Sequence, residues 1–112
     1  MDENTRIDYA KYRIEKARKC LETAKNEIQR GDYETATNRS YYAMFHAVRS
    51  VLAMDEVDFK RHSGVIGYFR KEYVKTGIFP MEMSDMIGDA FEARSGSDYD
   101  DFCAISKERV DE

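Results

Sequence analysis

The 112-residue chain predicts an all-α fold, an antiparallel up-and-down bundle of four to five helices forming one domain over residues 1–112. Apolar residues recur at alternating spacings of three and four over long stretches, which is the helical period. Charged residues make up 36% and hydrophobic ones 42%, with one Pro and no Trp, a composition suited to a helical bundle around a single core. Gly31 and Gly77 fall where periodic stretches stop, as helix-ending glycines do.

From Thr5 to about Arg30, the residues Ala10, Ile14, Ala17, Leu21, Ala24 and Ile28 form one apolar stripe, and Gly31 ends the helix. The Lys and Arg residues among Glu22 and Glu27 read as a solvated outer face. Asp32 is an N-cap for a second helix from Tyr33 to about Met54, and so short a link makes the two helices antiparallel neighbours. This second helix is apolar or aromatic on nearly every side, so it is the expected centre of the bundle. Tyr41, Phe45, Val48 and Leu52 form a core stripe; Ala36, Ser40, Ala43, Ala47 and Val51 form a small-residue stripe for another helix, from this chain or across a dimer.

The loop DEVDFKRHSG follows, with Phe59 turned inward and His62–Ser63 opening a third helix whose buried side is His62, Ile66, Phe69 and Tyr73. His62 is read as structural, satisfying neighbouring polar groups at a helix start. Arg61, Arg70 and Lys71 either extend a phosphate-binding surface or are ordinary surface charge. After Thr76–Gly77, a fourth helix carries Met83, Met86, Ile87, Ala90 and Phe91 on its apolar side, the methionines as core filler. The stretch SGSDYDDF is a predicted turn in which Tyr99 anchors the loop and Asp100 or Asp101 caps a fifth helix. That helix ends early, so the C-terminal element is short or truncated.

Chemistry concentrates on one strip of the second helix. Arg39, Tyr42, His46 and Arg49 are spaced by three, four and three residues and share a face of an otherwise greasy segment. Arg39 and His46, seven apart, fall about 20° short of two full turns, which sets a permanent cation and a titratable imidazole about 10 Å apart along the axis. Tyr42 between them orients a ligand or caps the core with its hydroxyl.

These residues resemble the HEPN family, whose ribonuclease motif is an Arg followed, after four to six residues, by a His. Here Arg39, the six residues SYYAMF and His46 fit the long form, within NRSYYAMFHAVRSVL, HSGVIGYFRKEYVKTG and SDYDDF, so the resemblance spans nearly the whole chain. It implies a metal-independent endoribonuclease, the toxin of a toxin–antitoxin pair, with Arg39 and His46 catalytic and Ser40, Tyr42 and Arg49 binding substrate. It also implies a homodimer whose two motifs meet at a shared cleft, and a minimal nucleotidyltransferase as partner antitoxin. Two positions depart from the family pattern. Ser40 stands where active nucleases often carry Asn, Asp or His after the Arg, and Val48 stands where one branch, whose toxins are silenced by nucleotide transfer to a Tyr, carries that Tyr.

The residues alone leave three functions open: the RNA-cutting toxin, a non-catalytic module that grips RNA or nucleotide phosphate, and a dimeric scaffold. A net charge of −4 argues against a general nucleic-acid coat and leaves room for a local basic site. No metal or other cofactor is expected, since no Gly-rich phosphate loop, nucleophile elbow or His–Glu metal pattern occurs. No apolar run reaches membrane-span length and the N-terminus is too charged for a signal peptide, so a cytoplasmic protein is expected. Cys20 and Cys103 lie far apart and are read as reduced thiols.

Overall fold

Every other helix packs on the segment Tyr33–Met54. The structure, a computed structural model, describes residues 2–99, with side chains through Arg94. The helices are α1 (Glu3–Arg30), α2 (Tyr33–Met54), α3 (His62–Phe69), which continues into a π-helical turn over Arg70–Val74, and α4 (Met81–Tyr99). No strand occurs among the described residues, so the fold is all-α. The predicted fifth helix and Cys103 lie outside the described residues, while Cys20 is half-buried on α1.

The boundaries follow from local chemistry. Asp2 caps α1 by accepting from the Thr5 amide at 2.8 Å, so the helix starts slightly earlier than expected. Gly31 ends it at φ +84°, a left-handed conformation that lets the Asp32 amide reach the Glu27 carbonyl at 2.9 Å. One residue later, the Asp32 carboxylate accepts from both the amide and the hydroxyl of Thr35 and opens α2. Such a tight reversal makes α1 and α2 antiparallel.

Two cross-helix contacts set their register. The Ser50 hydroxyl donates to the Ala10 carbonyl at 2.9 Å, and Arg13 meets His46. This register brings Ala17 level with Ala43 and Ala24 with Ala36, four small side chains that are all buried, so the helices approach closely. The Ala36 and Ala43 part of the small-residue stripe of α2 is therefore covered by α1 of the same chain, while Ala47 and Val51 border an apolar groove. Leu21 departs from expectation and is 46% exposed. With Ala10, Ala17 and Ala24 nearest α2, Leu21 falls on the rim.

The other side of α2 carries the core. Tyr41, Phe45, Val48 and Leu52 pack with Val65, Ile66, Phe69, Val74 and Ile87 from α3, the π turn and α4. The Asp55 carboxylate accepts from the hydroxyls of Tyr68 and Tyr73, tying the end of α2 to the third helical segment. Phe59 is half-exposed rather than tucked inward, because Gly64 and Tyr68 offer it only one side to lean on.

Two expectations for α4 need correction. The helix continues through Ser95–Tyr99, where a turn was expected. Ser, Gly and Asp cost a growing helix only about 0.5–1 kcal/mol each, and without a Pro they do not stop it. Met83 and Met86 are partly exposed and, among the described residues, line an open apolar groove with Ile14, Met44, Val51 and Phe79 instead of filling the core. Ile87 of that face is buried in the core, and Ala90 and Phe91 pack against it.

Candidate functional site

The polar strip of α2 stays together and turns toward α1 and α4. Arg39 lies over the Tyr42 ring, 5.0 Å from its centroid, and the His46 ring lies 6.2 Å from the same centroid, so cation and imidazole flank one tyrosine. Arg94 of α4 stands over Tyr42 at 5.6 Å and over Tyr41 at 5.4 Å. Such placements draw on the attraction of a cation for a ring face. They also hold long guanidinium side chains in one orientation.

From α1, Arg13 completes the cluster. Its Nη1 lies 3.1 Å from Nδ1 of His46, while its Nε and Nη2 donate to the Tyr9 hydroxyl at 3.3 and 2.8 Å. A guanidinium only donates, so Nδ1 of His46 is the acceptor and the ring proton sits on Nε2. Burial pushes the His46 pKa down to about 4, with Arg13, Lys16, Arg49 and Arg39 adding to the effect. At neutral pH the imidazole is uncharged. It sits among cations on a protein whose net charge is −4.

Arg49 points to the far end of the strip, ion-paired to Asp58 and 5.6 Å from the Phe45 centroid. It lines a polar cavity of about 340 Å³ with Asp58, Lys60 and His62, beside rather than between Arg39 and His46. His62 is bound through Nδ1 to the Tyr41 hydroxyl at 2.7 Å and packs 4.2 Å from Phe45 between centroids, which matches the structural place read for it. Arg70 donates to the hydroxyl and carbonyl of Ser84, so it braces α4; Arg61 and Lys71 are exposed.

Ser40 is half-buried beside Arg39, but the guanidinium turns to its other neighbour: Oδ1 of Asn38 accepts from Nη2 at 2.6 Å. Sequence reasoning missed Asn38, Arg13 and Arg94. For Arg13 a signal existed. It stands three residues after Ala10 and four before Ala17, on the packed face of α1, where an arginine is out of place without a task. Arg94 carried no comparable signal.

Phosphate chemistry suits this cluster: several guanidiniums, a neutral imidazole and tyrosine rings that can stack on bases. Among the described residues no three His, Cys, Asp or Glu side chains gather so as to hold a metal ion. No described helix is long and apolar enough to cross a membrane.

An all-α bundle with Arg and His on one face of its central helix defines a class, and comparison identifies it. The HEPN domain model matches residues 10–112, so the chain belongs to the HEPN family. A protein of Methanocaldococcus jannaschii named "Putative toxin MJ0142" is 39% identical over 98 residues, covering 88% of this chain and 67% of that protein. A "UPF0332 protein" of Thermotoga maritima is 34% identical over 110 residues, covering 98% of this chain and 82% of the relative. The "UPF0332 protein" of Archaeoglobus fulgidus is 34% identical, over 91% of this chain and 81% of its own. No solved structure matches the chain.

Proposed function

We propose that this HEPN protein is a metal-independent endoribonuclease and the toxin component of a toxin–antitoxin pair, acting on cytoplasmic RNA. The observation that carries the reading is the juxtaposition of Arg39 and the neutral His46 on either side of Tyr42. The similarity to a protein named as a putative toxin supports the biological role.

In this reading the imidazole takes the proton of a ribose 2′-hydroxyl, and the 2′-oxygen attacks the adjacent phosphorus. The bond from phosphorus to the 5′-oxygen breaks, and that oxygen leaves with a proton supplied by a second acid. Products are a 2′,3′-cyclic phosphate and a 5′-hydroxyl. Arg39 holds the phosphate and offsets the charge that builds on its oxygens. Because RNA carries its own nucleophile, no metal-activated water is needed, and DNA is refused for lack of the hydroxyl. Ser40 and Tyr42 contact the substrate near Arg39, and Arg49 extends the cationic track toward the cavity by Asp58.

Of the two imidazoles near Tyr42, His62 is held by the Tyr41 hydroxyl, so one chain brings one proton-transferring imidazole, His46, to the phosphate. A two-fold homodimer, with the strips facing each other, supplies the second His as the acid for the leaving oxygen. A minimal nucleotidyltransferase is the proposed antitoxin, acting by complex formation, because Val48 occupies the position where a modifiable Tyr is needed.

A second reading has its own support. Nδ1 of His46 is engaged by Arg13, and its pKa is depressed, which makes it a weak base at rest. That favours a module that grips RNA phosphate without cutting. Incubating purified protein with RNA in excess chelator separates the two. The nuclease reading expects cleavage by the wild type and none by His46→Ala; tight binding without cleavage by either supports the binding module.

A further inference from the structure

We propose that Arg13 of α1 is a positioning residue of the site: it occupies the Nδ1 lone pair of His46, fixes the ring as its Nε2–H tautomer, and must let go before His46 can accept a proton there. The inference rests on the nuclease reading only for its consequence in catalysis. Its structural basis stands apart from it.

The geometry is specific. Arg13 lies on the packed face of α1, half-buried, and spends three of its donor groups on two acceptors, the Tyr9 hydroxyl and His46 Nδ1. Tyr9 is one helical turn earlier on α1, so its hydroxyl braces the guanidinium from behind. The antiparallel register delivered by the Ser50–Ala10 contact sets Arg13 opposite His46. An arginine here is not an ion-pair partner of His46, because two like charges would repel. It is a donor that the ring tolerates only while neutral.

The surrounding charges point the same way. Facing His46 are Arg13 and Lys16 from α1 and Arg39 and Arg49 from α2, with the Asp58 carboxylate engaged by Arg49 and also within the field of Arg13. Beyond Tyr42, His62 and Arg94 complete the neighbourhood. All four basic neighbours disfavour the imidazolium, yet only Arg13 touches a ring nitrogen.

A phosphodiester supplies the reason for Arg13 to leave. Its two free oxygens accept from a guanidinium in a paired, charge-assisted geometry, which is stronger than a bond to a neutral ring nitrogen. When Arg13 turns to the phosphate, the Nδ1 lone pair opens, and the negative charge now beside the ring raises its basicity. The resting protein keeps its base occupied and the substrate frees it.

The test is long-range 1H–15N NMR of the histidine rings in the full chain, without RNA, for wild type, Arg13→Met, Arg13→Lys and Tyr9→Phe. The wild type should show His46 as one tautomer, protonated on Nε2, titrating far below an ordinary histidine. Arg13→Met should show mixed tautomers and a midpoint raised by about one pH unit. Arg13→Lys, which keeps a donor, should retain the wild-type tautomer, and Tyr9→Phe should fall between. If Arg13→Met fails to fold, Tyr9→Phe and Arg13→Lys carry the comparison. An unchanged His46 spectrum in Arg13→Met, or a wild type already protonated on Nδ1, overturns the proposal whether or not RNA is cut. Failure of RNA cleavage alone overturns the nuclease reading and leaves these spectra as they are.

Discussion

The Tyr41 hydroxyl and Nδ1 of His62 lie 2.7 Å apart, joining the fully buried tyrosine of α2 to the first residue of α3. Burial pushes the Tyr41 pKa up to about 12, so the hydroxyl stays protonated throughout the physiological range. The bond gives this buried hydroxyl a hydrogen-bond partner.

Tyr41→Phe should therefore cost about 1 kcal/mol, the net worth of a typical hydrogen bond, with the helical content unchanged. His62→Ala should cost more, because it also removes the ring packed 4.2 Å from Phe45 between centroids. Urea denaturation midpoints measure both. If both variants are as stable as the wild type, the link between α2 and α3 is not what this geometry makes it.

Acid stability should depend on His46. Its folded pKa is depressed to about 4, below the value near 6.5 of a free histidine, so its contribution to stability is fully present above about pH 6.5. As pH falls from about 6.5 to 4, the unfolded chain takes up a proton that the folded chain refuses, and stability declines. His62 shifts in the same direction and adds to the slope. Melting temperature against pH should fall less steeply for His46→Gln than for the wild type across that window. Parallel curves contradict the assignment.

Much of the fold could be read from the residues because the signals are local. Asp32, Gly31 and the apolar spacings of α1 and α2 act within a turn or two, so boundaries and the core stripe of Tyr41, Phe45, Val48 and Leu52 came through. The turn expected at Ser95–Tyr99 did not, because weak helix breakers yield to a helix already propagating. Arg39, Tyr42, His46 and Arg49 could be grouped since one helix carries all four. The partners that tune them come from elsewhere. Arg13 reaches His46 only through the α1–α2 register, and Arg94 reaches Tyr42 only through the packing of α4, relations that no spacing within α2 encodes. Asn38 was legible in principle, being adjacent to Arg39, yet nothing in the sequence says which neighbour the guanidinium turns to.

Arg39→Ala should lower kcat/KM for RNA by about 10²–10³, the scale of losing one charge-stabilising group, with melting little changed because the half-buried side chain lies over the Tyr42 ring and outside the core cluster. Arg39→Lys should recover part of this, keeping charge without the planar fork. Asn38→Ala should cause a smaller loss, since it frees the guanidinium without removing it. Steady-state cleavage of a defined oligoribonucleotide measures the series. A Lys variant as poor as Ala would shift the weight from charge to geometry.

Sedimentation equilibrium at micromolar concentration should give a dimer, as the two-motif cleft requires. Mixing Arg39→Ala with His46→Ala chains should then restore some cleavage if each protomer contributes a different group to one phosphate. A monomer that still cuts RNA would remove the need for a second imidazole.

In the proposed reaction His46 and Arg39 direct an RNA 2′-hydroxyl onto its own phosphate. The most direct measurement follows one oligoribonucleotide, and the same oligonucleotide with a single 2′-deoxy sugar at the cut position, incubated with wild type and His46→Ala in excess chelator. The wild type should leave a 2′,3′-cyclic phosphate at one site of the all-ribose strand and spare that site in the 2′-deoxy strand, while His46→Ala should cut neither. Cleavage of the 2′-deoxy strand at the same bond, or equal cleavage by His46→Ala, would contradict it.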